Sequence, residues 1–316
     1  MSTVRYFRFD DPGAPVLNGR VGSLTTLLRR CLVGTNGIAY GQKPSAGWVE
    51  AFIGASANIA VFRTNAAEGF SGCFVHINDN APDAASGATE ARLRVYATMS
   101  ALNTGTAPTK IYYIRKSSDT TTTARKWMLA ADGGTAWLYT WGTGDNDSYS
   151  ADGNICVFGD YESIVQNGVF RYAASARVTS NYPWGGGTQI GTTTNGRSSI
   201  ADMLQVAPVN GIGAPVLADL MLPLLGTDTY NGVGGNEWPA APDIAGNRSF
   251  LASPMIRTAS GFVGRLRGLH IPFQRLDMIA AGEAVPEAPH LRVMRANLGE
   301  TVGYETCVAV DVVGPW

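Results

Sequence analysis

The segment Trp127-Met128-Leu129-Ala130-Ala131-Asp132-Gly133-Gly134-Thr135-Ala136-Trp137-Leu138-Tyr139-Thr140-Trp141 reads as two short strands around a tight turn. Asp132-Gly133-Gly134 is a hairpin signal, its glycines expected to supply positive φ between antiparallel strands. The same texture extends both ways along the chain. Upstream, residues 48–53, 59–63, 73–77, 92–96 and 111–115 are strand candidates separated by turn residues. In Arg92-Leu93-Arg94-Val95-Tyr96 a period of two sends Leu93 one way and both arginines the other. Downstream, 154–158, 253–257, 264–271, 291–295 and 307–313 continue the series. Strands of this length and spacing predict a mainly β chain, built as an antiparallel β-sandwich or barrel. The helix–strand alternation of a parallel α/β fold is absent.

One helix stands apart. Leu24, Leu27, Leu28, Cys31 and Leu32 recur at helical spacing, with Thr25, Thr26, Arg29 and Arg30 on the other face. This predicts an N-terminal amphipathic helix over 23–33, with Ser23 as its N-cap and Gly34 as its left-handed C-terminal residue. Its apolar stripe is expected to cover a face of the sheet that follows. From about 171 to 250 the chain becomes turn-rich and poor in charge, with long Gly/Pro-rich loops. Tyr182, Trp184 and Trp238 lie there, either as partner contacts or as clamps holding the loops to their own domain. The change of texture divides the chain into β-rich units 1–165 and 166–316, although a β-rich chain this long also forms a single unit.

Composition narrows the function. The 316 residues carry 24 Lys+Arg and 25 Asp+Glu, and charged residues make up only 16%, where an ordinary domain has roughly a quarter. An apolar share of 45% with 9% aromatics argues against disorder. The balanced charge argues against a nucleic-acid partner. Low charge with many Gly, Thr and Ala reads as a surface covered by neighbouring chains. A signal-peptide pattern is absent, and no apolar run approaches the ~18 residues of a membrane span. The expectation is therefore a protein made in a cytoplasm, soluble until it assembles or is released, with no membrane insertion. Cys31, Cys73, Cys156 and Cys307 match no zinc spacing, so buried free thiols are expected.

Chemistry-bearing motifs are scarce. His76, His270 and His290 have no metal or acid–base spacing, and HExxH, GxSxG, phosphate-loop and GxGxxG patterns are missing. Asp145, Asp147 and Asp152 crowd oxygen ligands together, yet lack the glycine and the closing glutamate of a calcium loop. A calcium site and a solvated hairpin tip are the alternatives there. Asp79, Asp83, Asp160 and Glu162 offer carboxylate pairs for glycoside cleavage, but any chain with 25 acids does so by chance. The chain does not read as an enzyme, and no catalytic residue, metal or cofactor is expected. Arg265 and Arg267, at i and i+2, are expected to share one strand face, suited to a subunit contact or to plain solvation.

Several segments resemble a family of tailed-bacteriophage virion structural proteins, of tail or baseplate type, found in phages that infect proteobacteria. They are Lys43-Pro44-Ser45-Ala46-Gly47-Trp48-Val49-Glu50-Ala51-Phe52, Asn58-Ile59-Ala60-Val61-Phe62-Arg63 and Ala124-Arg125-Lys126-Trp127-Met128-Leu129-Ala130-Ala131-Asp132. Further along come Val157-Phe158-Gly159-Asp160-Tyr161-Glu162-Ser163, Gly264-Arg265-Leu266-Arg267-Gly268-Leu269-His270-Ile271-Pro272 and a tail ending in Trp316. These blocks run in order along nearly the whole chain and contain no catalytic motif, so the resemblance implies a context and no active site. It implies a virion component repeated in the tail, the baseplate or the head–tail region, with copies of itself and other virion proteins as partners. Tyr182, Trp184, Trp238, Arg265 and Arg267 are the candidate contacts. A receptor- or carbohydrate-binding fibre module on host glycans is the alternative, and a polysaccharide hydrolase a more remote one.

Overall fold

The computed structural model describes residues 3–54, 58–80, 89–141, 153–164, 171–176, 204–208, 213–221, 251–272, 279–286, 288–297 and 305–316. Tyr182, Trp184, Trp238, Asp83 and the Asp145–Asp147–Asp152 group lie outside them. The chain is mainly β, with several antiparallel sheets and one helix near the N-terminus. Among the described residues no sheet closes into a barrel or sandwich; the sheets are open and stacked.

The opening hairpin lies inside a seven-stranded sheet. Its order is Arg5–Arg8, Trp127–Ala131, Thr135–Trp141, Gly153–Asp160, Tyr172–Ser175, Gln205–Val206 and Val216–Leu217. Strands from both sides of residue 165 thus share one sheet. Every residue of the two hairpin strands is buried. Phe7, Leu129, Ala131, Leu138, Cys156 and Phe158 face one apolar cluster, while Met128, Ala130, Trp137, Tyr139, Ile155 and Val157 face another. The first cluster is shared with a five-stranded outer sheet, ordered Tyr112–Arg115, Glu90–Tyr96, Phe74–Asn78, Ile59–Arg63, Val49–Ile53. Ala60, Phe62, Val75, Ile77, Leu93 and Val95 are its contribution. The second cluster is completed by Ile256 and Val263 of a four-stranded sheet and by Met294, Val308 and Val310 of a second five-stranded sheet. Buried indoles find partners across these layers: Trp48 donates to the Asp132 carbonyl at 2.7 Å and Trp137 to the Arg267 carbonyl at 2.8 Å.

The turn works differently from its sequence signal. Neither Gly133 nor Gly134 has positive φ. Both are needed for closeness: a Cβ on Gly134 would stand 2.0 Å from Phe70 Cδ1, and one on Gly133 2.9 Å from the same ring. Asp132 Oδ1 closes the turn by accepting from the Gly134 and Thr135 amides at 2.9 and 2.7 Å.

The helix also departs in detail. Ser23–Leu28 is α-helical, and Arg29–Val33 continues as a π-helix. Leu24, Leu27, Leu28, Cys31 and Leu32 are fully buried in the first cluster, as the stripe requires. Ser23 is not the N-cap; Gly22 holds that position with φ 84°. The orphan amides are met by a distant carboxylate, Asp79 Oδ2, at 2.7 Å from Leu24 N and 3.4 Å from Thr25 N. Gly34 has positive φ but ψ of −172°, outside the left-handed helical region.

Candidate interaction face

Among the described residues, Asp132, Asp160 and Asp79 each anchor a knot of buried contacts. Asp132, fully buried, pairs with Arg267 at 2.7 Å, and the same guanidinium donates to the Trp316 main-chain oxygen and lies 5.1 Å over Phe70. Asp160 accepts from the Ser71 amide and hydroxyl at 2.6 and 2.5 Å, fastening a loop to the end of its strand. Burial pushes its carboxyl up, against the pull of Ser71. Asp79 faces Lys116 at 2.5 Å with both side chains fully buried. Asp79 and Asp160, offered by the sequence as glycosidase carboxylates, are thus occupied in holding the fold. Cys31, Cys73 and Cys156 are buried free thiols, all pushed up by burial; they are poor nucleophiles for that reason. Among the described residues no group of three or more His, Cys, Asp or Glu stands where it would hold a metal, and no helix is long and apolar enough to cross a membrane.

The two candidate arginines do not share a strand face. The strand ends at Arg265, and Arg267 belongs to the turn that follows. Arg265 is exposed and its Nε donates to Met255 Sδ at 3.1 Å. Arg267 turns inward to Asp132, because the turn at Gly268 (φ 73°) redirects the chain and lets the Trp316 ring pack against it.

A different set of arginines meets solvent together. On the outer sheet, register places Arg63 opposite Phe74, and Phe74 opposite Tyr96. His76 lies opposite Arg94, Asn78 opposite Arg92, and Arg92 opposite Tyr113. Paired residues in a sheet share a face, so this whole set points away from the core. Three guanidiniums lie over aromatic rings: Arg63 over Phe74 at 5.2 Å, Arg94 over Tyr96 at 5.9 Å and Arg92 over Tyr113 at 5.9 Å. Stacking holds the planar forks in place. Arg63 and Arg94 each spend Nε on a backbone carbonyl, Gly72 and Thr109, both at 3.1 Å. The buried Nε of Arg92 has no hydrogen-bond partner among the described residues. Among those residues no carboxylate lies within ion-pair distance of the three, whereas neighbouring Arg115 has Glu90 at 3.9 Å. Burial also pushes the His76 imidazole down, with Arg94 adding to that shift. Part of this face is roofed where Met99 and Leu102 pack on Val61 and Tyr96. What remains is a surface of arginines beside aromatic rings, a side-chain set whose charge and N–H groups suit carboxylate or sulfate partners. Its signal was already present in the alternation of Arg92 and Arg94; the pairing with Arg63 and the rings needed register, which no local pattern contains.

No protein-family model matches the chain, and no curated protein matches it.

Proposed function

We propose that this chain is a structural component of a tailed-phage virion, packing in multiple copies in the tail, baseplate or head–tail region. Its work is mechanical, without catalysis, and its open antiparallel sheets serve as the scaffold. The observation that carries the reading is a pair of sheet edges, among the described residues, that carry exposed apolar side chains. Val49 (53% exposed) and Ile53 (63%) lie on the edge strand of the outer sheet, and Leu217 (58%) lies on the edge strand of the central one. Such edges present unpaired backbone groups beside apolar side chains, a liability in a lone globule and an asset in a ring or sheath. Low overall charge supports it, since few ions need desolvation on contact. Sedimentation of the purified full chain at rising concentration is expected to show oligomers, and Val49→Lys with Ile53→Lys to dissolve them while circular dichroism stays unchanged. A chain that stays monomeric and is absent from the purified particle ends the proposal.

A second reading, a receptor- or carbohydrate-binding fibre module, is favoured by the arginine face. Because the guanidiniums already cover the rings, the ligand class is an acidic polysaccharide rather than a neutral sugar stacked on bare aromatics. Isothermal titration with polygalacturonate, with a neutral glucan as control, distinguishes it: salt-sensitive binding of the first alone supports the reading, and no binding removes it.

A further inference from the structure

Asp79 and Lys116 form a fully buried ion pair. Asp79 follows the strand Phe74–Asn78, and Lys116 follows the strand Tyr112–Arg115; these strands flank Glu90–Tyr96 in the outer sheet. The Lys116 Nζ stands 2.5 Å from Asp79 Oδ1, with neither side chain exposed. The two carboxyl oxygens are treated differently. Oδ2 accepts from the backbone amides of Leu24 and Thr25, a pair of donors of the kind that stabilises a developing oxyanion. Oδ1 has no donor with good hydrogen-bond geometry and meets only the amine. The amine in turn donates to the Arg20 carbonyl and, at 3.2 Å, to Ser23 Oγ, which fixes its direction of approach.

We propose that Asp79 and Lys116 condense to an intramolecular amide that crosslinks the outer sheet. A proton passes from the Lys116 ammonium to Oδ1, leaving a neutral amine and a neutral carboxylic acid. The Nζ lone pair attacks Cγ; the N–C bond forms and the negative charge moves to Oδ2, facing the Leu24 and Thr25 amides. Nζ then gives a second proton to the Oδ1 hydroxyl, the Cγ–Oδ1 bond breaks and one water leaves. Electrons and atoms balance with no oxidant or co-reactant. Burial favours the neutral pair, raising the Asp79 carboxyl to about 6 and lowering Lys116. Holding the amine against Oδ1 in a dry site supplies the proximity such a slow condensation needs. The product joins two strands across a third and fastens the amides of the helix start to the same carbonyl. The inference does not depend on the virion reading.

Tryptic digestion of the denatured full-length protein decides it. Condensation removes the cleavage site at Lys116 and yields a branched peptide joining residues 64–92 to 116–125, lighter than the sum of its parts by one water. Linear 64–92 together with cleavage after Lys116 in the wild-type chain overturns the proposal. Lys116→Arg and Asp79→Ala are expected to release linear 64–92; because the measurement is made on denatured chains, it holds whether or not these variants fold well.

Discussion

The central hairpin sheet and the outer sheet are built from strands of similar length with the same antiparallel pairing, yet they read differently. Trp127–Ala131 and Thr135–Trp141 are buried at every position, because apolar layers lie against both faces. Phe74–Asn78 and Glu90–Tyr96 alternate, because one face meets the core and the other carries arginines and rings. Periodicity therefore reports how many faces are covered, and an unbroken apolar strand marks the middle layer of a stack. Antiparallel sheets usually leave one face to water; here the middle sheet does not.

This contrast is best broken at Trp137, which fills the second cluster and reaches across it to the Arg267 carbonyl. Trp137→Ala is expected to cost about 3–5 kcal/mol of unfolding free energy, read from the denaturant midpoint. A loss below ~1 kcal/mol would mean that the third layer does not press on the sheet there. Gly134→Ala comes next. Its new methyl overlaps the Phe70 ring, and a destabilisation of about 1–3 kcal/mol is expected from overpacking. In a Phe70→Ala background the same substitution should cost much less, since the obstructing ring is gone.

That glycine marks the limit of what the sequence made legible. The β class, the helix stripe and most strand positions followed from spacing alone, because burial of one face is a local constraint. The glycines' role did not: φ is a local property, but the approach of Phe70 depends on a distant loop. The cap on the helix failed for the same reason, with Asp79 replacing the adjacent Ser23. Arg267 looked like a strand partner of Arg265 because the turn after Arg265 is set by tertiary packing. Arg92 and Arg94 were legible as an outward pair, whereas their continuation to Arg63 came only from strand order.

Titration separates the interior from the rim as well. Burial raises the carboxyl of Asp160, at the end of a central strand. At the rim, burial also raises Asp11, but hydrogen bonds from Lys43 at 2.5 Å, Tyr40 at 2.6 Å and the Arg8 amide at 2.8 Å outweigh it and lower the pKa. The signs are opposite. The stability contributed by Asp11 is present above its ordinary pKa and lost as pH falls through its lowered one. That of Asp160 is present below its ordinary pKa and lost as pH rises through its raised one. In pH-dependent denaturation, Asp11→Asn is expected to flatten the acid limb and Asp160→Asn to remove the gain on mild acidification; the reverse pattern would contradict these assignments.

The smallest expected effect on folding is at the arginine face, and its smallness is informative. Each cation over a ring contributes about 0.5–1 kcal/mol at an exposed site, so Arg63→Gln or Arg94→Gln should move the denaturant midpoint only slightly. If the arginines exist to brace the outer sheet, replacing Arg63, Arg92 and Arg94 together would weaken folding by the sum of three such contacts while leaving polyanion binding untouched. If they exist to meet a partner, the triple variant should lose salt-sensitive binding to polygalacturonate far beyond its loss of stability, and Arg→Lys at the same positions should restore only part of it. Lysine keeps the charge but lacks the planar fork that stacks on Phe74, Tyr96 and Tyr113. The ratio of the two effects, rather than either one, tells whether the uncovered face of the outer sheet is a support or a contact.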